Sequence, residues 1–308
     1  MKFTTGDESG HERLDTFLSL QSGISRSRIQ RFIKDGLVSV NSRAEKSGCR
    51  LRGGDIVELA VPDEPEITLI PEDIPLEIVM QDSDVVVVNK PPGMVIYPAA
   101  GHRSGTLLNA LIAKCGRLAS TGAPLRPGVV HRLDKETSGL IIFAKNDKTY
   151  LDIIKQFKER EIEKHYLALI YGTPKEERGE INDAIGRSVS DRKKMSTRTK
   201  RGKEAVTRYE MIKRFTGASL IKARIITGRT HQIRVHFADA GHPVLGDKTY
   251  GKKTALRCGQ RIITFQRQML HAYSLKFKHP STGKFIELTA PMPEDMKKAV
   301  EALEEIYS

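Results

Sequence analysis

Apolar positions recur at helical spacing early in the chain and at strand spacing later. In residues 12–20, Leu14, Phe17 and Leu18 predict one helix. A second is predicted from Arg26 to Asp35, with Ser25 able to cap it and Gly36 to stop it. Ile29, Phe32 and Ile33 form its apolar stripe, while Arg28, Arg31 and Lys34 fall on the opposite face. LVSVN, a turn at Gly53–Gly54 and DIVELAV follow as a hairpin, which completes a small αα-plus-hairpin module over residues 11–61.

From Ile78 onward the pattern changes. DVVVVNK (84–90), GLIIFAK (139–145) and EKHYLALIYG (163–172) read as buried strands, and a strand is expected to end at Val130. Asp147 to Glu161 reads as a helix with Leu151, Ile154 and Phe157 on its inner side. Thr230 can start another that Gly241 ends, with Ile233, Phe237 and Ala240 facing inward. Strands and helices do not alternate regularly, so the expected class for residues 78–308 is α+β with a largely antiparallel sheet. Between the two regions, residues 62–77 hold four prolines and six acidic residues with no Lys or Arg. Such a segment cannot continue a helix and is expected to be a stiff linker.

Composition narrows the function. The chain has 308 residues and a net charge of +13, enough for about two domains and suited to a polyanionic partner. No apolar run reaches the length of a membrane span, and the N-terminus has neither a signal core nor a transit pattern, so a cytoplasmic protein is expected. Cys49, Cys115 and Cys258 are too few and too widely spaced for a disulfide framework. His231, His236 and His242 do not share a helical face, there is no HExxH, and no metal is expected. Neither GxGxxG nor a P-loop follows any strand.

The charge is also patterned. Residues 11–53 carry nine Lys/Arg against four Asp/Glu, and the cations of the second helix (Arg26, Arg28, Arg31 and Lys34) suit phosphate binding or an ordinary solvated face. Residues 187–203 hold eight basic residues and one acidic residue, among them Arg192, Lys193, Lys194 and Arg198. This stretch is expected to be an exposed basic loop that contacts phosphates or simply aids solubility.

Two clusters could carry chemistry. In PGVVHRLDKETSGLIIFAKN (127–146), Asp134 lies between buried strands beside His131 and Arg132. It can serve as nucleophile or base, or it can cap the turn through Thr137 or Ser138. In ITGRTHQIRVHFADAGHPVLGDKTYG (226–251), His231 and Arg234 are three apart and project from one face. An arginine on the inner side needs an anion, either a protein carboxylate or an RNA phosphate.

Together these stretches resemble the RluA-like pseudouridine synthases, which modify large-subunit ribosomal RNA and tRNA. The leading module resembles the S-four RNA-binding domain. The resemblance rests on RLDTFL…SRSRIQRFIKDGLVSVN, NKPPGMVIYPA…GTLLNAL (89–111), HRLDKETSGL (131–140), EKHYLALIYG (163–172), GRTHQIRVH…GHPVLGD (228–247) and LHAYSLKFKHPSTGK (270–284). One departure is Tyr97, where relatives often carry His.

The resemblance implies that Asp134 is the catalytic carboxylate and that Arg234 pairs with it. It further implies that Tyr166 stacks on the target base and Arg132 helps extrude the nucleotide. Uridine isomerisation exchanges no electrons and hydrolyses nothing, so no cofactor is expected; it needs an anion, a base platform and limited water. The expected partner is RNA, ribosomal first and tRNA second, and the expected state is a monomer. The alternative is a non-catalytic RNA-binding or ribosome-assembly protein that retains the fold. A glycosidase fits poorly, because no second acid is placed to face Asp134 across a sugar.

Overall fold

The apolar stripes of the first two helices become one face of a small core. The computed structural model describes residues 1–6, 11–24, 26–61, 69–98, 102–121, 126–189, 191, 194–199 and 201–307. The chain divides into two units, Met1–Glu66 and Ile67–Ser308. The first contains β1 (Lys2–Thr4), α1 (Leu14–Ser22), α2 (Arg26–Lys34), β2 (Val38–Val40), β3 (Arg43–Ala44) and β4 (Ile56–Leu59). Leu14, Phe17, Leu18, Ile29 and Phe32 pack on Val38, Leu51 and Val57. The sheet order is β1-β4-β2-β3, so the expected hairpin gains the two-residue β3 on one edge and β1 on the other. In β1, which is too short for its single apolar residue to reveal from sequence, Phe3 lies opposite Val57. Arg26, Arg28, Arg31 and Lys34 are all exposed, and Ser25 lies outside the described residues.

α1 is fastened to α2 through a buried carboxylate. Asp15 accepts from Arg13 Nε at 3.1 Å, Arg26 Nε at 3.1 Å and Gln30 Nε2 at 2.6 Å. Burial opposes its charge, but these donors outweigh burial and hold the carboxyl well below the usual range.

The second unit runs through β5 (Glu77–Gln81), β6 (Val85–Lys90), α3 (Leu107–Cys115), β7 (Ser138–Ala144), α4 (Asp147–Glu159), β8 (Glu163–Tyr171), β9 (Arg178–Asn182), β10 (Gly186–Arg187), β11 (Met195–Ser196), β12 (Val206–Phe215) and β13 (Ala218–Ile225). It continues with α5 (Gln232–Asp239), β14 (Ala255–Cys258), β15 (Arg261–Thr264), β16 (Leu270–Lys278), β17 (Phe285–Thr289) and α6 (Glu294–Tyr307). The main sheet has the order β5-β6-β7-β16-β8-β13-β12-β9, with β17 added on β16. Every pairing in it is antiparallel except that of β16 with β7, where His271 meets Ser138 and Ala272 meets Gly139. This short parallel seam joins the two halves of the sheet. Gly139 makes the close approach possible: its φ is +110°, and a Cβ there would lie 2.3 Å from the carbonyl oxygen of Ala272.

Several elements differ from the sequence pattern. Residues 62–68 of the expected linker lie outside the described residues, but the segment after them is docked on the second unit. Asn109 donates to the Ile70 carbonyl at 2.7 Å, and Leu69 and Leu76 pack against the core. The prolines rule out a helix there without preventing this apolar docking. In α4 the inward positions are Ile153, Ile154 and Phe157, and Leu151 is 61% exposed. α5 begins at Gln232 rather than Thr230, because His231 before it is in the left-handed region, φ +58°, where helical backbone cannot continue. Ala240 is exposed beyond its end. Val129 makes a single bridge to Phe143, and no strand ends at Val130. The basic stretch contains the β10–β11 hairpin, where Met195 packs on Ile185, Ala205 and Val235. Among the described residues, no helix is long and apolar enough to cross a membrane.

Candidate active site

Asp134 sits on the turn that leads into β7, and that turn is held from several sides. The buried Lys90, at the end of β6, donates to the carbonyls of Pro91 at 2.8 Å, Met94 at 3.0 Å and Lys135 at 3.0 Å. Gly93 N–H donates to the same Lys135 carbonyl at 2.9 Å. Arg267 donates to the Glu136 carbonyl at 3.0 Å, and Gln268 reaches Thr137 Oγ1 at 3.3 Å. Ser138 Oγ meets His271 Nδ1 at 3.0 Å below the turn. Burial pulls the Lys90 ammonium down to about 7, although three carbonyls accept its hydrogens.

The Asp134 side chain does not cap its own turn. Thr137 N–H instead donates to the Asp134 backbone carbonyl at 3.1 Å. The carboxylate turns to α5, where Arg234 Nη1 donates to its Oδ2 at 2.9 Å and His231 Nε2 lies 3.7 Å from its Oδ1.

Arg234 is buried, and its other edge is occupied by Asp247. Nε and Nη2 donate to Asp247 at 2.7 and 3.0 Å, in a bidentate pair. Asp247 is fully buried and also accepts the amides of Thr249 at 2.9 Å and Tyr250 at 3.1 Å. Burial opposes the Arg234 charge, but the bonds and charges of Asp247 and then Asp134 outweigh it and raise its pKa. The arginine is thus fixed by one carboxylate and presents its remaining nitrogen to the other.

Asp134 borders two cavities. One of about 570 Å³ is lined by Arg132, Asp134, Lys164, Tyr166, Arg229, Arg234, Lys158 and Arg160, together with His131, Phe157, Ile225 and Leu270. Its wall therefore carries six Lys/Arg against one carboxylate. The second, of about 530 Å³, shares Arg132, Asp134, His231 and Arg234 and adds Lys135, Lys248 and Arg267. Arg132 is exposed and lines both. Tyr166 is 7% exposed, and burial together with the Asp134 charge raises its phenol pKa so that it stays protonated. Burial also pulls Lys164 down to about 8, with its ammonium 4.9 Å from the Phe157 ring centroid. His131 is held neutral, at about 3, by burial and then by the Lys164 charge; its Nε2 accepts the Ile142 amide at 3.1 Å.

Asp134, Arg132, Tyr166 and Arg234 therefore meet at one cavity. Asp247 and Tyr250 also belong to this cluster but were not singled out in the sequence. The available signals were the final residue of GHPVLGD and an inward arginine with more donors than a single partner could use. Tyr97 lines neither cavity, and the Arg126 guanidinium stands 4.3 Å over its ring.

Among the expected RNA-binding cations, Arg26 is engaged by Asp15, Arg28 stands 5.4 Å over the Phe32 ring and Arg31 pairs with Asp35 at 3.6 Å. Lys194 pairs with Asp191 at 3.7 Å and Arg198 with Asp239 at 3.6 Å, while Arg192 and Lys193 lie outside the described residues.

One cluster among the described residues, Asp82, Asp84 and His279, has the composition of a metal site. Its groups are taken up by hydrogen bonds: Asp84 accepts from Asn146 Nδ2 at 2.9 Å and Thr149 Oγ1 at 3.2 Å. His279 Nδ1 accepts the amides of Ser281 at 3.3 Å and Thr282 at 3.2 Å, so Nε2 carries the hydrogen donated to Asp82 at 2.9 Å.

Comparison with known proteins agrees with this arrangement. Residues 84–239 match the family described as RNA pseudouridylate synthase, and residues 12–57 match the S4 domain. The chain is 41% identical over 301 residues to "Uncharacterized RNA pseudouridine synthase YlyB" of Bacillus subtilis, covering 97% of each. It is 43% identical to "Ribosomal large subunit pseudouridine synthase D" of Zymomonas mobilis over 92% of each chain. Among solved structures, "Human RNA Pseudouridylate Synthase Domain Containing 1" aligns at 28% identity with a TM-score of 0.55, over 76% of this chain and 96% of that one. The family match over residues 84–239, the leading S4 module and relatives matched along nearly the whole chain place it in the RNA pseudouridylate synthase family, to which it belongs.

Proposed function

We propose that this protein converts uridine to pseudouridine in large-subunit ribosomal RNA, with Asp134 as the catalytic carboxylate. The observation that carries the reading is the Asp134–Arg234 ion pair, 2.9 Å long, bordering a cationic cavity that also holds Tyr166. The reaction breaks the bond between N1 of uracil and the sugar C1′ and forms one between C5 and C1′. The C5 hydrogen leaves as a proton, and no electrons are exchanged. An anion beside the sugar, a surface for the detached base and exclusion of water are the requirements.

Asp134 supplies the anion, and the Tyr166 ring supplies a stacking surface of the kind that contributes about 1–3 kcal/mol per base. Arg132, exposed beside both cavities, is placed to enter the RNA stack as the nucleotide leaves it. The cavity cations, the exposed cations of α2 and those of residues 187–203 draw in the phosphates. The ribosomal target is supported by relatives whose names specify the large subunit.

Release of tritium from C5 of uridine in a labelled large-subunit ribosomal RNA transcript tests this reading. The intact chain should release it and the Asp134→Asn variant should not; continued release by that variant removes Asp134 from the role. Mapping pseudouridines in cellular RNA with and without the protein then identifies the target. A site found only in tRNA overturns the ribosomal assignment.

A further inference from the structure

Arg234 holds Oδ2 of Asp134, while the other oxygen faces His231. His231 has a left-handed backbone, φ +58°, which is uncommon for a residue with a side chain. Its Nδ1 meets the Tyr250 hydroxyl at 2.7 Å, and that hydroxyl already accepts the Met195 amide at 3.1 Å. A phenol has a single hydrogen. Nδ1 is the one acceptor that the structure places within reach of that hydrogen among the described residues, which assigns the hydrogen to Nδ1 and leaves the imidazole hydrogen on Nε2. Nε2 is the atom that stands 3.7 Å from Oδ1 of Asp134. The gap exceeds a hydrogen bond, but contacts of this kind commonly tighten when substrate closes the site.

We propose that the Met195 amide, Tyr250 and His231 form a positioning relay that fixes the orientation of the Asp134 carboxylate through Oδ1. The inference rests on the reading of Asp134 as the catalytic carboxylate. The far end of the relay is β11, in the hairpin of the basic 187–203 stretch. The same hairpin that carries phosphate-attracting charge therefore anchors the orientation of the acid. Tyr250 serves the pair a second time, since its ring lies under the Arg234 guanidinium at 5.1 Å and its backbone amide donates to Asp247.

That double role gives a clean test. Tyr250→Phe keeps the ring and the backbone amide and removes only the hydroxyl. The intact chain is assayed in single turnover at saturating enzyme, on a large-subunit ribosomal RNA transcript tritiated at C5 of uridine. Binding of the same transcript is measured on filters. Tyr250→Phe should slow the turnover on the order of 10- to 100-fold, the cost of a misaligned group. Its Kd should stay within about twofold of the unaltered protein, since the relay acts on alignment rather than on binding.

His231→Ala should be slowed to a similar extent, and His231→Gln, which retains a donor on the Asp134 side, should recover part of the loss. The double variant Tyr250→Phe/His231→Ala should be no slower than the slower single variant, because both changes break one chain. A Tyr250→Phe rate equal to that of the unaltered protein overturns the relay, as does a loss wholly accounted for by weaker binding. Asp134→Asn serves as the control: retained activity there overturns the assignment of the acid itself, whatever the Tyr250 result.

Discussion

One guanidinium serves two carboxylates, and the two should respond differently to substitution. Asp247 is fully buried against Arg234, so Asp247→Ala leaves a buried charge with two orphaned donors. It should cost about 3–5 kcal/mol of stability, read as a lower urea midpoint, and should abolish activity with it. Asp134→Asn leaves the Arg234–Asp247 pair intact and should abolish activity with a stability change of about 1 kcal/mol or less. Similar urea midpoints for the two variants would contradict the division of labour.

His131 makes a separate prediction in pH. It is held neutral down to about pH 3 by burial and by the nearby Lys164, whereas the unfolded residue titrates near its ordinary value of 6.5. Between these values the unfolded chain binds the additional proton, so acidification removes stability, at up to about 1.4 kcal/mol per pH unit from this residue. Urea midpoints of the unaltered protein and of His131→Leu should therefore converge as pH falls through that window. Parallel curves would mean that the histidine gains its proton equally in both states.

Elements rather than single residues place the acid. The seam between β7 and β16 lies directly beneath the Asp134 turn, and Gly139→Ala would drive a Cβ into the Ala272 carbonyl at a positive φ. A loss of about 3 kcal/mol or more is expected, measured by urea denaturation. Lys90→Met would remove the donor shared by three carbonyls of two loops, leaving those of Pro91 and Met94 unpaired, and should cost about 3 kcal/mol while loosening the same turn.

Much of this was legible in the sequence because it is written locally. The α2 stripe, the apolar runs of β6, β7 and β8 and the HRLDKETSGL turn each declare themselves within about a dozen residues. What stayed hidden depends on distant partners. β1 has only Phe3 to mark it, Leu151 is exposed although its spacing suits an inner face, and Asp247 gains its meaning from an arginine thirteen positions earlier in the chain. The start of α5 is hidden for a similar reason: His231, in a left-handed backbone, precedes its first residue, Gln232, and no side chain caps the helix.

At the scale of the whole molecule, the net charge of +13 belongs to the second unit, and the first unit is basic only locally, over residues 11–53 and along α2. Replacing Arg28 and Arg31 by Ala should lower the salt slope of RNA binding by about 1.5, at 0.7–0.9 per phosphate contact. Turnover on a saturating short substrate should persist, since the acid and its partners lie in the other unit. An unaltered slope would show that α2 does not meet the backbone.

The strand order also bears on the birth of the protein. β16 is inserted between β7 and β8, yet it is synthesised more than a hundred residues after either begins. When a ribosome has finished Asp134, Tyr166 and Arg234, the strand that must separate and join their supports does not yet exist. The nascent chain can fold its leading module early, but it carries the parts of an enzyme without their keystone until translation is nearly done.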